Sequence, residues 1–162
     1  MVCKKICVLG SSAAGKTSLV NRYVHSIFDD RYLSTIGVKI SKKELSDVTL
    51  VIWDIEGKDI YTNINLSYLR GAAGYFVVAD GSRIETLNEA MVIRQSAIEV
   101  LGASSPCYLL LNKRDLVHKW EIAQETIDDI KKLGVKIFTT SAKTGRSVDE
   151  AFETLAKETL KQ

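Results

Sequence analysis

The most constraining stretch of this sequence is GSSAAGKTS, which lies near the N-terminus at residues 10–18. It has the pattern G-x-x-x-x-G-K-[ST], follows an apolar run at residues 6–9, and precedes a helix-like segment that begins near Lys16. A tight loop at the start of a helix points its backbone N–H groups inward and presents them to an anion. The pattern therefore predicts a phosphate-binding loop between a buried strand and a helix.

The residues of this loop have distinct expected roles. Gly10 and Gly15 allow the turn, and Lys16 would reach the β- and γ-phosphates as a point charge. The Thr17 hydroxyl would ligate the Mg²⁺ that bridges those phosphates. The full predicted set of phosphate-binding residues is Gly10, Ser12, Ala13, Ala14, Gly15, Lys16, Thr17 and Ser18.

Length and composition bound the classes of protein that remain. The 162 residues are 46% hydrophobic, which predicts one domain with its own core. A net charge of +2 does not favour nucleic acid or an anionic lipid surface as the main partner. Three cysteines, no signal peptide and no long apolar run predict a reduced, cytoplasmic protein. The chain has no prenylation cysteine before Gln162, so we expect no membrane anchor within it; peripheral membrane association would need a lipidated tail beyond that residue.

Strand-like and helix-like segments alternate along the chain. The predicted strands are 4–9, 38–45, 48–53, 74–79, 106–111 and 135–139, and the predicted helices are 16–25, 84–101, 121–133 and 147–160, with weak helical character over 60–69. The turn residues Ser46 and Asp47 predict that the second and third strands form a hairpin. The fold class is therefore α/β, a doubly wound six-stranded sheet, mostly parallel with one antiparallel edge strand and helices on both faces.

Polar motifs follow four of these strands, at the edge where such sheets bind ligands. Residues 54–57 form D-x-x-G, in which Asp54 can hold Mg²⁺ and Gly57 lets a backbone N–H approach the γ-phosphate. Residues 112–115 form N-K-x-D, in which the Asp115 carboxylate can accept two N–H bonds from the guanine edge while Asn112 and Lys113 pack around the ring. Adenine presents the wrong donors. A third base contact would come from the segment Ser141, Ala142 and Lys143, with the Ala142 N–H meeting the guanine carbonyl.

Taken together, these motifs resemble those of the Ras-superfamily small GTPases and are most similar to the Rab branch. They occur in the family's order as GSSAAGKTS at 10–18, TIGV at 35–38, WD at 53–54, YLRGA at 68–72, NKRD at 112–115 and TSAKTG at 140–145. The resemblance implies a monomeric switch that cycles between GTP and GDP with Mg²⁺. Phe28 would stack on guanine, and Thr35 would bind Mg²⁺ and the γ-phosphate through a loop ordered only with GTP.

The resemblance also implies where partners and catalysis lie. Regulators and effectors would bind the switch segments 35–40 and 54–68 together with Trp53. The metal ligands would be Thr17, Thr35 and Asp54, and the residues beside the reacting phosphate would be Lys16, Thr35, Gly57 and Lys58.

Four positions depart from the family pattern. Lys58 replaces the glutamine that orients the attacking water, and a lysine has no hydrogen-bond acceptor. Glu56 replaces a small alanine, and its carboxylate near the γ-phosphate would oppose GTP binding. Ile40 interrupts an aromatic trio otherwise held by Trp53 and Tyr68, and Ser12 replaces a glycine typical of Ras-type members. We therefore expect slow or partner-dependent hydrolysis.

Three alternatives stay open from the sequence. A P-loop kinase for small acceptors would need an Arg-rich lid, which the chain lacks, and leaves N-K-x-D unexplained. A GTP-binding scaffold without meaningful catalysis agrees with Lys58 and Glu56. A membrane-trafficking switch would need the lipidated tail.

Overall fold

The structure is a computed structural model that describes residues 1–31, 34–57 and 65–162. The strands are β1 (Val2–Gly10), β2 (Val38–Glu44), β3 (Val48–Ile55), β4 (Ala72–Asp80), β5 (Cys107–Asn112) and β6 (Ile137–Thr139). The helices are α1 (Lys16–His25), α2 (Ile84–Leu101), α3 (Gln124–Lys132) and α4 (Val148–Thr159), with a 3₁₀ turn at Leu66–Leu69. Among these residues, no helix is both long and apolar enough to cross a bilayer.

The six strands form one sheet in the order β2-β3-β1-β4-β5-β6. The β2–β3 pair is antiparallel, and every other neighbouring pair is parallel. The predicted fold class is confirmed, including the edge hairpin, which closes where Leu45 N–H donates to Val48 O at 2.9 Å. Strand β1 is central, and the strands that follow it in the chain lie on both sides of it. A ligand is therefore expected in the crevice at the carboxyl end of β1.

Alternating residues of the central strands build two cores, one on each face of the sheet. Ile6 and Val8 of β1 pack with α1 and α4 on one face, around a Tyr23–Phe152 ring stack with centroids 4.3 Å apart. Cys7 and Leu9 face the other side and pack with α2 and α3. Strand residues buried on both faces explain the continuous apolar runs seen in the sequence.

The predicted helices 16–25 and 84–101 are confirmed residue for residue, whereas α3 begins later than predicted. Residues 121–123 are held outside the helix because Glu121 N–H donates to Gly81 O at 2.8 Å and Trp120 Nε1 donates to Ile122 O at 2.9 Å. The weak helical signal over 60–69 corresponds to the 3₁₀ turn Leu66–Leu69, and the rest of it falls partly outside the described residues.

Candidate functional site

A cavity of about 470 Å³ opens at the carboxyl ends of β1, β3 and β5, where the sequence motifs were predicted to meet. The predicted residues that line it are Ser12, Ala13, Gly15, Lys16, Thr17, Ser18, Phe28, Thr35, Gly57, Asn112, Lys113, Asp115, Ala142 and Lys143. Gly10, Ala14, Asp54 and Ser141 are buried and are not part of this lining. Lys58 lies outside the described residues. Segments separated by more than a hundred residues thus share one cavity.

The loop after β1 has the backbone of an anion-binding turn. Ala13 and Gly15 both adopt the left-handed conformation, with φ of 61° and 98°. An alanine in this region is uncommon and typical of functional loops. A Cβ on Gly15 would lie 2.3 Å from Asn112 Nδ2, so only glycine fits between the loop and the end of β5. The first turn of α1 holds no acidic residue and therefore leaves its positive end available to an anion.

Lys16 brings a positive charge to the floor of the cavity. It is 6% exposed, and its ammonium donates to Ser11 O at 2.7 Å. Burial lowers the pKa of Lys16 to about 8. The negative charge of Asp54 opposes this shift, and the positive charge of Arg83 adds to it. A bound anion stabilises a buried ammonium strongly, because its negative charge compensates for the solvation that burial removed.

Three oxygen-bearing side chains converge beside Lys16. Thr17 Oγ1 lies 2.6 Å from Thr35 Oγ1 and donates a short hydrogen bond to Asp54 Oδ2. Burial raises the pKa of Asp54, while Thr17 and Lys16 counteract the rise. Asp54 Oδ1 is buried and has no hydrogen-bond partner among the described residues. An orphaned carboxylate oxygen beside two hydroxyls is a donor set that suits a hard divalent cation such as Mg²⁺.

Gly57 approaches the phosphate-binding loop so closely that a side chain would not fit. A Cβ there would lie 2.5 Å from Lys16 Nζ and 2.7 Å from Ser12 N. The backbone of the D-x-x-G segment is therefore held against the loop at the Lys16 side of the cavity. This placement agrees with the requirement that Gly57 present its backbone to a terminal phosphate.

The residues predicted to hold the base contact one another and the loop after β1. Asn112 is buried; its Nδ2 donates to Ala14 O at 3.2 Å, and its Oδ1 accepts from Ala142 N–H at 3.3 Å. Ser141 Oγ donates to Asp115 Oδ1 at 2.7 Å. Asn112 and Ser141 thus orient the loops, and Asp115 presents a carboxylate that Ser141 holds in place.

Lys113 links the N-K-x-D segment to the loop after β1. Its φ is 69°, and its ammonium donates to Ala13 O at 2.9 Å. The same ammonium forms a 2.9 Å ion pair with Asp80 Oδ2, at the end of β4. Arg83 repeats the arrangement, pairing with Asp80 at 3.1 Å and donating to Ser12 O at 3.0 Å.

Sequence reasoning missed Asp80 and Arg83. Asp80 ends an apolar strand, as Asp54 and Asn112 do, so the same signal could have identified it. The cavity lining also includes residues that no motif indicated, namely Asn21, Ile27, Asp29, Asp30, Arg31, Ser34 and Leu116. Asn21 lies within α1, and the others follow α1 or the N-K-x-D segment in loops without a fixed residue pattern.

The predicted partner surface lies beside the cavity. Trp53 and Tyr68 contact one another with ring centroids 6.1 Å apart, and the Lys5 ammonium lies 3.7 Å from the Trp53 ring centroid. Ile40 is 50% exposed on β2, and Ile36 is 88% exposed. The two rings are partly buried against the sheet, while the isoleucines offer apolar surface to solvent.

Comparison with known proteins agrees with this geometry. The Ras family profile matches residues 5–161. The chain belongs to the Ras family. Several of its relatives within the family carry Rab names. Ras-related protein Rab-13 of Mesocricetus auratus is 34% identical over 161 aligned positions, covering 96% of this chain and 79% of the relative.

Two further relatives come from other organisms. Ras-related protein RABD1 of Arabidopsis thaliana is 34% identical, covering 98% of this chain and 80% of the relative. Ras-related protein Rab-1C of Dictyostelium discoideum is 35% identical, covering 97% and 81%. The resemblance to a Rab-like small GTPase is thereby confirmed, and with it the expectation of a GTPase of the switch type.

Proposed function

We propose that this Ras-family chain is a molecular switch that binds GTP and GDP with Mg²⁺ and hydrolyses GTP slowly or with a partner's help. The single observation that carries the proposal is the shared cavity. The phosphate-binding loop, the N-K-x-D segment and the 141–143 segment all contribute to its wall. A nucleotide with its phosphates at Lys16 and its base at Asp115 accounts for all three.

Each residue has a proposed role in binding. The loop N–H groups and the Lys16 ammonium would hold the phosphates, and Phe28 and Lys143, which line the cavity, would contact the nucleoside. The Asp115 carboxylate accepts from the N–H groups of guanine, an arrangement that adenine does not satisfy. Thr17, Thr35 and Asp54 would hold Mg²⁺, with the orphaned Asp54 oxygen as the feature that favours it. When bound, that cation supplies positive charge to the β- and γ-phosphates.

The base assignment is tested by identifying the nucleotide that copurifies with the chain. Denaturation followed by chromatography should release GDP or GTP, and competition should show a strong preference over ATP. Asp115→Ala should remove that preference. Arg114→Ala is the matched control, because the Arg114 guanidinium lies 4.9 Å from the Trp120 ring rather than at the base site. An adenine nucleotide in the purified protein would refute the proposal.

The proposed slow hydrolysis depends on residue type at position 58. Water attacks the γ-phosphorus as the bond to the β–γ bridging oxygen breaks, so the water must be oriented and must lose a proton. A lysine ammonium donates hydrogen bonds but accepts none. Lys58 can offset negative charge on the phosphate but cannot accept a hydrogen bond from the water. A partner that supplies an arginine can contribute about 10³- to 10⁵-fold in such systems.

Single-turnover hydrolysis tests this part separately from binding. Lys58→Gln should accelerate hydrolysis on the order of 10²-fold, the lower range for a positioned acid–base or orienting group. Lys58→Ala is the control, since it removes the cation without adding an acceptor and should not accelerate. Equal rates for the glutamine variant and the wild type would show that position 58 is not limiting. GTP retained by all three proteins would favour the scaffold alternative.

Partners are proposed to bind the switch surface. This surface comprises Thr35, Ile36, Ile40, Trp53 and Tyr68, and its exposed isoleucines provide apolar contact area next to the nucleotide cavity. A loop that contacts the γ-phosphate through Thr35 changes its order with the nucleotide state, so partner affinity follows that state.

A further inference from the structure

The segments on either side of the cavity mouth are joined by a reciprocal pair of hydrogen bonds. Glu56 N–H donates to Gly37 O at 2.8 Å, and Gly37 N–H donates to the Glu56 side chain, at Oε2, at 3.3 Å. The first bond continues the β2–β3 ladder one step beyond the Val38–Ile55 pair. The second bond depends on the side chain. It forms because the side chain at position 56 ends in a hydrogen-bond acceptor and is long enough to reach the Gly37 N–H on the neighbouring segment.

This pair acts on a residue that matters for the proposed site. Gly37 lies two positions after Thr35, whose hydroxyl is 2.6 Å from that of Thr17. Anchoring Gly37 therefore shortens the free length of chain that must be ordered to place Thr35 at the proposed metal ligands. The anchor is internal to the protein and requires no phosphate.

We propose that Glu56 is a positioning residue that holds the Thr35 segment toward the nucleotide site whether or not a γ-phosphate is bound. The inference rests on the proposed guanine-nucleotide function and adds to it a contact between the two switch segments. Its consequence is a smaller structural difference between the GDP and GTP states than a chain with alanine at this position would show.

A different role for Glu56 follows from charge alone. Glu56 also lines the cavity, so its carboxylate would repel the γ-phosphate and disfavour GTP. The two roles predict opposite results. If the carboxylate repels phosphate, removing its charge raises affinity for a GTP analogue. If it anchors Gly37, removing the acceptor lowers that affinity, and replacing it with a neutral acceptor preserves it.

Two variants separate these effects. Glu56→Ala removes the acceptor, whereas Glu56→Gln removes the charge and keeps an oxygen at similar reach; both keep the backbone N–H. Glu44→Ala is the control, an exposed acid at the opposite end of β2 in the same hairpin. Amide exchange in β4 and β5 reports whether each variant is folded.

The decisive measurement is hydrogen exchange of residues 34–40 with GDP and Mg²⁺, with a non-hydrolysable GTP analogue, and without nucleotide. Loss of one net hydrogen bond predicts about fivefold faster exchange in Glu56→Ala. Glu56→Gln should retain most of the protection, and Glu44→Ala should match the wild type. Analogue affinity should fall several-fold in Glu56→Ala alone, with GDP affinity unchanged.

Several results would overturn the inference. Unchanged exchange in Glu56→Ala would show that the side-chain contact does not restrain the segment. Equal loss in both variants would assign the effect to charge, and a rise in analogue affinity for both would establish repulsion. Failure of the proposed function gives a different signature, since guanine nucleotides would then leave exchange of the phosphate-binding loop unchanged in every protein.

Discussion

Asp80 offers a direct test of how the two halves of the nucleotide site are held together. The residue is 1% exposed, and its carboxylate accepts hydrogen bonds from Ser82 N–H at 2.9 Å and Ser82 Oγ at 2.6 Å. The other carboxylate oxygen pairs with Arg83 and Lys113, which both donate to carbonyls of the phosphate-binding loop. Replacing Asp80 therefore removes the common acceptor of two cations.

The expected cost follows from the burial of each partner. Breaking a buried ion pair by removing one partner costs about 3–5 kcal/mol. The side chains of Arg83 and Lys113 are 39% and 32% exposed, so water still solvates these two cations when Asp80 is removed. The expected loss of stability in Asp80→Ala is therefore near the lower end of this range, about 3 kcal/mol. For a chain of this length that loss lowers the unfolding midpoint by about 6–12 °C. Asp80→Asn keeps an acceptor for Ser82 and should cost about 1–2 kcal/mol.

Urea unfolding at a fixed, saturating concentration of GDP and Mg²⁺ measures these losses. A second series at tenfold lower GDP separates weakened nucleotide binding from weakened folding, because ligand stabilisation depends on concentration. Asp129→Asn is the control, since Asp129 pairs with Lys132 at 3.7 Å on the surface of α3 and should change stability by less than about 0.5 kcal/mol. A loss for Asp80→Ala within the same limit would show that the Asp80 network contributes no net stability.

Three further predictions concern Asp80, Gly15 and Gly81. Burial raises the pKa of Asp80, but hydrogen bonds from Ser82, Lys113 and Arg83 outweigh burial and hold this pKa below its ordinary value of 3.8. The ionised Asp80 side chain therefore stabilises the fold fully above that pH. This stabilisation is lost as the pH falls through the lower pKa of the folded state. The stability difference between wild type and Asp80→Asn should therefore shrink below about pH 4, and a difference that stays constant down to pH 3 in urea titrations would contradict this. Gly15→Ala should weaken nucleotide binding about tenfold or more, because the left-handed backbone costs an alanine about 1–2 kcal/mol and the new Cβ would clash with Asn112. Gly102→Ala is the control: Gly102 has a φ of +91° but lies in open space, so the change should leave the affinity unchanged. Gly81→Ala should cost about 1–3 kcal/mol of stability because its Cβ would lie 1.9 Å from the Trp120 ring, and most of that cost should vanish in a Trp120→Ala background, whereas full additivity would refute the clash.

Local patterns were sufficient to predict the elements and the edge of the sheet that holds the site. Helix α1 and helix α2 have the predicted bounds because their starts and ends depend on nearby residues, such as Gly15 before α1 and Gly102 after α2. Motifs that end parallel strands must lie at the same edge, which is why residues distant in sequence were correctly expected to share one cavity.

Contacts between loops could not be predicted in the same way. The sequence suggested that the segment 141–143 contacts the base and that the Glu56 carboxylate lies close to the γ-phosphate. It gave no sign of two bonds that the structure shows, from the Ser141 hydroxyl to Asp115 and from Gly37 N–H to the Glu56 carboxylate. A residue's type limits the bonds it can form, but its partner depends on which loops the fold brings within about 3 Å.

The sequence by itself therefore determined the order of strands and helices, the phosphate-binding turn and the family. These follow from periodicity, glycine geometry and motifs that act over a few residues. Only the tertiary structure showed that Asp80 joins Lys113 and Arg83 to the phosphate-binding loop, and that Glu56 joins the two switch segments. Apart from the Asp80–Arg83 pair, which spans three residues, those contacts join segments at the ends of different strands, so they depend on how the sheet arranges its strands and no local pattern records them.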